Sequence, residues 1–566
     1  MALTLPSVVT NQTALARRRL KKTWAVMRLR GPGQVQFWFI ALVIGIVSGF
    51  AALFFRKGIN ALQSLLYGTD DVRNLHSFAE GLPWYMILLI PIIGGLVVGL
   101  ILHLFTPDGR VRAVADVIEG AALHNGRVEM KAGMASAAAS LITLSSGGSS
   151  GREGPVVHLA AMVSTWISNR IHADGITGRD LLGCAVAAAV SASFNAPIAG
   201  ALFALEVVLR HFAVHAFAPI VIASVAGTVI NRLEFGNVAE FAMTTPGALQ
   251  FYAELPAFLI LGLICGLVAV ALMHSVFWAE KIGDTLHDRT GLPRWLRPGI
   301  AGAMVGALAI AYPHIIGVGY ETTSAALSGN FMLQQVVVFA VIKTIAVAIT
   351  VGGRMGGGVF SPALMIGALT GLAFGLVATG LLPNVSGTHT LYAFAGMGAV
   401  AAAVLGAPIS TTLIVFELTG DWQIGIAVMI AVSMSTALAS RLVHRSFFLT
   451  QLERRGIHLA AGPQAYLLAM LRATSVMRMA ADLEPSDIRQ CDAMIARGIK
   501  VQGGDTLEAA MPMFDREDVA FVPVVSGISE GISEDEKPRL IGALYHIDGL
   551  KAYNRALAAT AAEEHS

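Results

Sequence analysis

The chain has 566 residues, of which 55% are hydrophobic and only 13% are charged, and its mean hydropathy is +0.67. Soluble domains carry charge on about 25% of their residues, so this composition excludes an ordinary soluble enzyme and indicates an integral membrane protein. The formal net charge of +2 singles out no partner. The three cysteines are too scattered to indicate a disulfide framework or a metal site.

The N-terminal segment is basic, and no acidic residue precedes Asp70. An apolar segment begins at about Phe37 without a small-residue cleavage site. The positive-inside rule therefore predicts a cytoplasmic segment at 1–35, followed by an uncleaved first helix. A nucleic-acid-binding arm is the alternative, but we expect no nucleic-acid partner. The basic residues are Arg17, Arg18, Arg19, Lys21, Lys22, Arg28 and Arg30.

Apolar segments then follow almost continuously, and several are shorter than the ~20 residues that a bilayer-spanning helix needs. Short segments lie at membrane depth when their non-helical ends are buried in protein or line a wet cavity. We therefore predict an all-α polytopic membrane protein. The segments are approximately 37–56, 84–105, 133–146, 155–169, 181–193, 197–231, 253–279, 298–312, 333–352, 358–382, 390–405, 407–418 and 422–443.

A glycine-rich turn at 147–155, Gly-Gly-Ser-Ser-Gly-Arg-Glu-Gly-Pro, opens one of these apolar segments. Its Arg152 and Glu153 are costly at membrane depth and are therefore functional candidates. Glycines let backbone N–H groups approach a ligand closely. Pro155 suits the first turn of a helix, whose unpaired N–H groups favour an anion. The structural alternative is an interfacial turn that only reverses the chain.

A second turn at 352–362 repeats this design, with glycines, one Arg and then Pro362 before an apolar segment. Each turn is followed by an Ala-Pro landmark and, nine residues after that proline, by Glu206 or Glu417. The displacement along the chain is 207 residues for the turns and 211 for the landmarks. Two halves with interrupted apolar segments at corresponding places indicate a transporter with a central binding site.

These residues resemble the CLC family of chloride channels and chloride/proton antiporters. Gly-Arg-Glu-Gly-Pro at 151–155 and Gly-Val-Phe-Ser-Pro at 358–362 match two of the family's motifs in the right order. The resemblance covers about 36–456 and implies two inverted halves, roughly 36–250 and 251–456, built from broken, tilted helices. It also implies a homodimer with an independent pore in each subunit.

The resemblance further implies an anion site at the two turns, with Glu153 as the gating residue. The Glu153 carboxylate would occupy the place that chloride needs, and protonation or a swing of the side chain would open the path. The structural alternative is that Glu153 only pairs with Arg152. Chloride would be the transported ligand, and we expect no cofactor in the membrane domain. The anion-binding residues would be Gly151, Arg152, Gly154, Val359 and Phe360.

Two departures from the family affect the inner side of this site. The Gly-Ser-Gly-Ile-Pro-Glu signature is absent, and aligning Asp116 with its Glu places Arg112 where the anion-facing Ser stands. Phe448 replaces the Tyr whose hydroxyl contacts the central anion. Arg112 would hold an anion or plug the inner vestibule; alternatively it snorkels to the cytoplasmic surface. With both hydroxyls missing, we predict a wider or more weakly gated inner mouth.

The position after Glu206 bears on the transport mode. In the family's proton-coupled members this position is a Glu that receives the proton from inside, whereas here it is Val207. We therefore predict a passive chloride channel with Glu153 as a protonatable gate. The alternative is a chloride/proton antiporter that lacks the internal glutamate and relays protons through water or another residue. Glu206 and Glu417 themselves are predicted to be structural.

Beyond 456 the composition becomes that of a soluble domain. Residues 457–498 are predicted as a helical linker or a degraded first CBS copy, and 499–560 resemble a CBS module with β-α-β-β-α order. Asp548 matches a position that often contacts a nucleotide ribose, which makes an adenine nucleotide a candidate ligand. Alternatively, Asp548 caps the final helix. Because CBS modules normally occur in tandem, pairing across a dimer is a further hypothesis.

One hypothesis from another class is an intramembrane serine protease, because Gly-Ser-Ser-Gly ends at Gly151. That chemistry needs a His base near Ser150, and the nearest, His158, lies on the helix that the turn opens. A P-loop is excluded because no Gly-Lys-Ser/Thr follows the glycines. We therefore expect a protein that is not an enzyme. We also expect it to lie in a bacterial inner membrane, with both termini in the cytoplasm.

Overall fold

The computed structural model describes residues 33–564, except for 69–73, 211, 213, 237–240, 242–253, 384–385, 387, 458, 460–465 and 527–538. Nearly all of the basic segment at 1–35 therefore lies outside the described residues. Among those described, seven helices are long and apolar enough to span a bilayer. The prediction of a helical, polytopic membrane protein is confirmed.

The membrane domain consists of two successive sets of helices. The first set is α1 (Gln34–Tyr67), α2 (Leu75–Glu80), α3 (Trp84–Phe105), α4 (Val114–Leu123), α5 (Met130–Ser145), α6 (Glu153–Ile171), α7 (Gly175–Phe194), α8 (Pro197–Phe203) with a π-helical continuation (Ala204–Leu209), and α9 (Val214–Phe235). The second set is α10 (Leu255–Thr290), α11 (Arg297–Ala311), α12 (Tyr320–Leu327), α13 (Leu333–Gly352), α14 (Phe360–Leu381), α15 (His389–Leu405), α16 (Pro408–Thr419), α17 (Trp422–Leu442) and α18 (Phe447–Glu453).

Two short helices at the centre of this domain are buried on every side. α7 is buried continuously from Gly178 onwards and α15 from Thr390 onwards. Both consist largely of small residues, which let neighbouring helices approach closely. Against α15, helix α14 presents Gly367, Gly371 and Gly375 at four-residue spacing. A Cβ at any of these three would meet the α15 backbone at under 3 Å.

The two halves exchange reciprocal contacts. The Glu206 carboxylate, in the π-helical segment, accepts hydrogen bonds of 2.9 and 2.8 Å from two backbone N–H groups at the start of α16. The Glu417 carboxylate, in α16, accepts bonds of 3.0 and 2.8 Å from two N–H groups at the start of α8. Each glutamate therefore satisfies the unpaired N–H groups of a helix in the other half. This geometry is the structural role predicted for the pair.

The soluble domain is built on a sheet with strand order β1–β4–β3–β2. β3 pairs parallel with β2 and antiparallel with β4, and β1 pairs antiparallel with β4. The strands are β1 (Arg478–Met479), β2 (Val501–Gln502), β3 (Phe521–Val525) and β4 (Leu540–Tyr545). The helices are α19 (Tyr466–Met470), α20 (Ala473–Val476), α21 (Pro485–Ala496), α22 (Leu507–Glu517) and α23 (His546–Glu564).

The predicted β-α-β-β-α order at 499–560 is observed, and such a small sheet is compatible with a CBS-like domain. The segment before it is not a helical linker, because β1 extends the same sheet and α21 packs on it through Cys491. The predicted boundary at 498 therefore falls inside one folded unit. α23 also begins at His546, so Asp548 lies in its first turn rather than at its cap.

The soluble domain docks on the membrane domain through polar contacts. Arg179 at the start of α7 forms a buried ion pair with Glu508 of α22, with 2.9 Å between Nη1 and Oε2. Beyond the end of α4, the Asn125 side-chain amide donates to Asp505 at 2.6 Å. These contacts define the face of the membrane domain that carries the soluble domain.

Candidate functional site

The two glycine turns meet in space. The Gly151 N–H donates to the Gly358 carbonyl at 2.6 Å, and the Gly358 N–H donates to the Gly151 carbonyl at 2.7 Å. The two residues occupy the same position in the repeat, 207 apart along the chain. Glycine permits this approach, because a Cβ at Gly358 would lie 3.2 Å from the Gly154 nitrogen. The first helical turns of α6 and α14 therefore begin side by side.

A cavity of about 30 Å³ lies where these helices begin. One water needs roughly 10–15 Å³, so the cavity admits only one or two small species. Because N–H groups at a helix N-terminus are unpaired and carry partial positive charge, their convergence favours an anion. The helix starts that line it contribute Ala113 and Val114 (α4), Glu153 and Gly154 (α6), Val359 and Phe360 (α14), and Phe447 and Phe448 (α18).

The Glu153 side chain reaches this cavity and is almost wholly buried. Its Oε1 accepts a hydrogen bond of 2.5 Å from the Ser361 hydroxyl. Its Oε2 has no hydrogen-bond partner among the described residues. A carboxylate oxygen thus lies where the helix N-termini would hold an anion. The sequence singled out Glu153 but not Ser361, although a hydroxyl one residue after Phe360 was a usable signal.

Arg152 contributes differently from the other predicted anion-binding residues. Its guanidinium donates to the Ser193 carbonyl at 3.0 Å and lies 5.1 Å from the centre of the Tyr320 ring. The side chain is therefore held in packing contacts, and it does not line the cavity. These hydrogen-bond and cation–π contacts hold the turn in place on the side that faces away from the cavity.

Phe360 lines the cavity within a cluster of aromatic rings. Its ring stacks on Phe203 at a centroid distance of 5.8 Å and contacts Phe194 at 4.8 Å. Phe203 also lines the cavity. Because the edge of an aromatic ring carries partial positive charge, such rings tolerate an anion at their edge. The sequence reasoning missed Phe203, which a single phenylalanine in an apolar helix does not reveal.

The two inner-vestibule candidates are placed apart. Phe448 lines the cavity with Glu153 and is buried beside Phe447. The wider or more weakly gated inner mouth stays a prediction. Arg112 lies elsewhere: its guanidinium pairs with Asp108 at 2.9 Å and with Glu129 at 3.0 Å. Arg112 therefore does not line the anion cavity, and the role of holding an anion or plugging the inner vestibule stays a prediction.

Arg112 lines a second cavity of about 460 Å³, which is polar and lies on the face of the soluble domain. His158 of α6 faces this cavity and is almost wholly buried. Neither of its ring nitrogens has a hydrogen-bond partner in the described chain, and neither has the Ser150 hydroxyl. A Ser–His pair for a protease is therefore not formed here. The charged residues that share the cavity with His158 are Arg110, Arg112, Asp116, Glu119, Arg127, Glu129 and Arg455.

Val207 and Asp548 lie away from the anion cavity. Val207 is buried in the π-helical segment and does not line the cavity. Asp548 forms an ion pair with Arg478 at 2.8 Å on the soluble domain, and Arg478 lies over the Tyr545 ring. Its carboxylate is thus engaged by a neighbour in this structure.

The sequence matches the model of a family described as voltage gated chloride channels over residues 94–440. It is 34% identical over 396 residues to a ClcB-like chloride channel protein of Ralstonia nicotianae, an alignment that covers 69% of this chain and 91% of that protein. The chain belongs to the CLC family. This CLC protein is also 29% identical over 419 residues to ClcB, a voltage-gated ClC-type chloride channel of Escherichia coli, covering 72% and 96% of the two chains.

Solved structures show the same fold. A slow cyanobacterial Cl−/H+ antiporter superposes with a TM-score of 0.65 at 21% identity, covering 74% of this chain and 97% of that one. A eukaryotic CLC transporter superposes with a TM-score of 0.64 at 17% identity, covering 93% and 98%. These identities are low, so the likeness establishes the CLC fold and not the transport mode.

Proposed function

We propose that this CLC protein is a passive chloride channel and that Glu153 is its gate. The observation that carries the proposal is the position of the Glu153 carboxylate, which lies in the small cavity where the N-termini of helices from both halves converge. Its Oε2 is buried and without a hydrogen-bond partner in the described residues. The Glu153 carboxylate thus occupies the space that a bound anion would need.

Opening follows from competition for the same donors. When Glu153 swings aside, which protonation favours by removing its charge from the helix N-termini, the Ser361 hydroxyl loses its acceptor and becomes free to donate to chloride. Backbone N–H groups at the start of α6 and α14 are already oriented toward the cavity and need no rearrangement. At close range the charges of chloride and the carboxylate repel by about 4 kcal/mol at an effective dielectric constant of ~20. Both therefore do not occupy the cavity together.

Passive flow is favoured by what surrounds the proton position of the antiporters. At the position of the internal glutamate of the proton-coupled members, Val207 offers no titratable group. The preceding residue, Glu206, accepts hydrogen bonds from two backbone N–H groups and the Ser410 hydroxyl of α16. These three hydrogen bonds commit the Glu206 carboxylate to the contact between the two halves.

A second candidate, coupled chloride/proton exchange, is favoured by His158. This imidazole is buried on the same helix as Glu153, faces the polar cavity of about 460 Å³, and has neither ring nitrogen paired in the described chain. The acids that share this cavity (Asp116, Glu119 and Glu129) supply a route for protons from the face of the soluble domain. His158 would then replace the acid that is absent at Val207.

One experiment separates the two modes. Proteoliposomes with the full chain are given an outward chloride gradient, and chloride and proton electrodes are read together. A passive channel releases chloride without moving protons uphill. Uphill proton movement by the parent protein would overturn the passive mode in favour of exchange. Its loss in His158→Gln would assign the proton route to His158. His124→Gln, a histidine that lies at the edge of the same cavity but is exposed, is the matched control.

Several finer expectations belong to the same proposal. The protein is expected to form a homodimer in an inner membrane, with both termini in the cytoplasm, and to catalyse no reaction. Nucleotide binding at Asp548 stays a prediction. It is checked by titrating the full chain with ATP, with Asp548→Asn as the comparison.

A further inference from the structure

A cluster of metal-ligating side chains lies on the opposite face of the membrane domain from the soluble domain. His76, Glu80 and His314 each place a ligand atom within 4.8 Å of the other two. The spanning helix α3 separates this cluster from Asp108, which contacts Arg112 at the polar cavity on the other face. The cluster is thus separate from the anion cavity and from the proton route.

The three residues come from two segments. His76 and Glu80 stand four residues apart on α2 and share one face of that helix. His314 belongs to a 3₁₀ turn, Pro313–Ile315, between α11 and α12. The two imidazole rings stack with their centroids 4.4 Å apart and their planes at 26°. Glu80 is exposed, so its carboxylate is free to move toward the rings.

A fourth residue orients the first ligand. Glu321 Oε2 lies 2.9 Å from His76 Nδ1, and Glu321 also accepts from the backbone N–H groups of His76 and Ser77. A carboxylate on one nitrogen of a histidine fixes the ring and leaves the other nitrogen for a metal, as in carboxylate–histidine–zinc arrangements. The His314 Nδ1 atom is buried and has no hydrogen-bond partner among the described residues. Two imidazole nitrogens are therefore available at one place.

We propose that His76, Glu80 and His314 bind Zn²⁺ and that the bound ion slows anion passage. Two imidazoles and one carboxylate form a donor set that zinc accepts with a water in the fourth position, whereas Mg²⁺ and Ca²⁺ prefer oxygen donors alone. Zinc–nitrogen bonds of about 2.0–2.1 Å require the donors to lie about 3.4 Å apart in a tetrahedral site. Binding therefore draws the three side chains closer together.

The segment after His314 connects this site to the gating turn. The fully buried Lys343 Nζ donates hydrogen bonds to the carbonyls of Ile315 at 3.1 Å and Gly317 at 3.0 Å. The Gly317 N–H in turn donates to the carbonyl of Gly147, the first residue of the turn that carries Glu153. Tightening His314 toward α2 thus restrains the backbone from which Glu153 moves. This consequence goes beyond the proposed function and does not depend on whether protons are coupled.

Binding is tested on the purified full chain in lipid nanodiscs, titrated calorimetrically with ZnCl₂ after removal of metal by a chelator. We expect one Zn²⁺ per chain, with affinity reduced at least about tenfold in His76→Gln and His314→Gln. Glu80→Gln, an exposed position where misfolding is not expected, should weaken binding several-fold. His124→Gln, an exposed histidine on the other face, should bind as the parent does. Equal affinity in all four variants would overturn the site.

Transport is tested by chloride efflux from proteoliposomes with Zn²⁺ on both sides. Efflux should slow in the parent and in His124→Gln, recover on adding EDTA, and stay unchanged by Zn²⁺ in His314→Gln and Glu80→Gln. Slowing that persists in those two variants, or binding without any slowing in the parent, would overturn the proposed coupling. A parent that passes no chloride at all would count against the proposed function instead, and the calorimetric titration would still decide the metal site.

Discussion

The two halves of the membrane domain share one scaffold but not one chemistry. Glu206 and Glu417 are 211 residues apart, and each accepts hydrogen bonds from the first N–H groups of the helical segment that carries the other. Gly151 and Gly358, 207 residues apart, pair with one another. Reciprocal contacts between equivalent positions are typical of two-fold symmetry, which here relates the two halves of one chain.

At the turns, the equivalent positions carry different side chains. Adding the same 207 residues to Glu153 gives Phe360, and adding them to Gly154 gives Ser361. The first half thus supplies an acid, and the second supplies the aromatic ring and the hydroxyl that contacts this acid. A symmetric backbone builds the anion site, and one asymmetric carboxylate makes it a gate. The following predictions test this difference between the halves.

The largest effect is expected from removing the asymmetric charge. Glu153→Gln should raise chloride flux in alkaline buffer about tenfold or more, because repulsion of even 1.4 kcal/mol corresponds to a factor of ten. The dependence of flux on pH should flatten. Flux through proteoliposomes across a pH series measures both, with Glu234→Gln, an exposed acid that lines neither cavity, as the control. A pH profile parallel to that of the parent would contradict the gating role.

A smaller effect is expected from the inner wall. Phe448→Ala removes a ring that lines the anion cavity and should raise flux several-fold. Arg112→Gln changes a side chain held by Asp108 and Glu129 and should change flux by less than a factor of about two, the scale of a modest surface effect. Initial rates of chloride efflux compare the two variants. A larger effect from Arg112 than from Phe448 would return Arg112 to the anion path.

Ser361→Ala removes the hydroxyl that the second half contributes. The Glu153 carboxylate then loses its 2.5 Å hydrogen bond and leaves the cavity more readily, while chloride loses a donor. A hydrogen bond to a charged group is worth about 1.5–3 kcal/mol, so the two losses partly offset each other. We expect a modest change in maximal flux together with a weaker apparent affinity for chloride. Flux measured against chloride concentration would reveal it; unchanged affinity would exclude Ser361 as a ligand.

The scaffold contacts should differ only slightly between the halves. Glu206→Ala and Glu417→Ala each leave two backbone N–H groups without an acceptor, at a cost of about 1–3 kcal/mol. Glu206 also accepts from the Ser410 hydroxyl, and its counterpart position in α8 is Ala199. Glu206→Ala should therefore lower the apparent unfolding temperature slightly more. Thermal unfolding in detergent compares the pair, and equal shifts in Ser410→Ala backgrounds complete the test.

The smallest effect is expected for Asp108, in the loop after α3. Its backbone carbonyl accepts a hydrogen bond from Arg354, so the two halves meet at this loop. Burial raises the pKa of Asp108, but hydrogen bonds from Arg112 and Arg110 outweigh it and lower the pKa to about 2. A lowered pKa stabilises the folded state above the unfolded value near 3.9, and this contribution is lost as pH falls toward 2. The stability difference between the parent and Asp108→Asn should shrink as the pH falls from about 5 to about 2. A difference that grows would reverse the sign.

The sequence predicted the helical membrane class and the repeat, because glycine, proline and acid at fixed spacing report backbone geometry directly. The resemblance to the CLC family implied that the two turns meet. It did not predict the direction in which Arg112 and Arg152 point, since long side chains find partners such as Asp108 and Ser193 that only the fold brings near. The role of Ser361 and the cluster of His76 with His314 likewise depend on segments far apart in the chain. The strand β1 escaped notice because both of its residues are exposed and it therefore lacks the apolar pattern of a buried strand.

The central claim is that chloride and the Glu153 carboxylate compete for one site at the helix N-termini of both halves. Crystals of the parent and of Glu153→Gln, both soaked in bromide at alkaline pH, test it by anomalous diffraction. The account predicts a bromide peak beside Ser361 and the N–H groups of 359–360 in the variant and a weaker or absent peak there in the parent. Equal peaks in both, or a peak only outside the cavity, would contradict it.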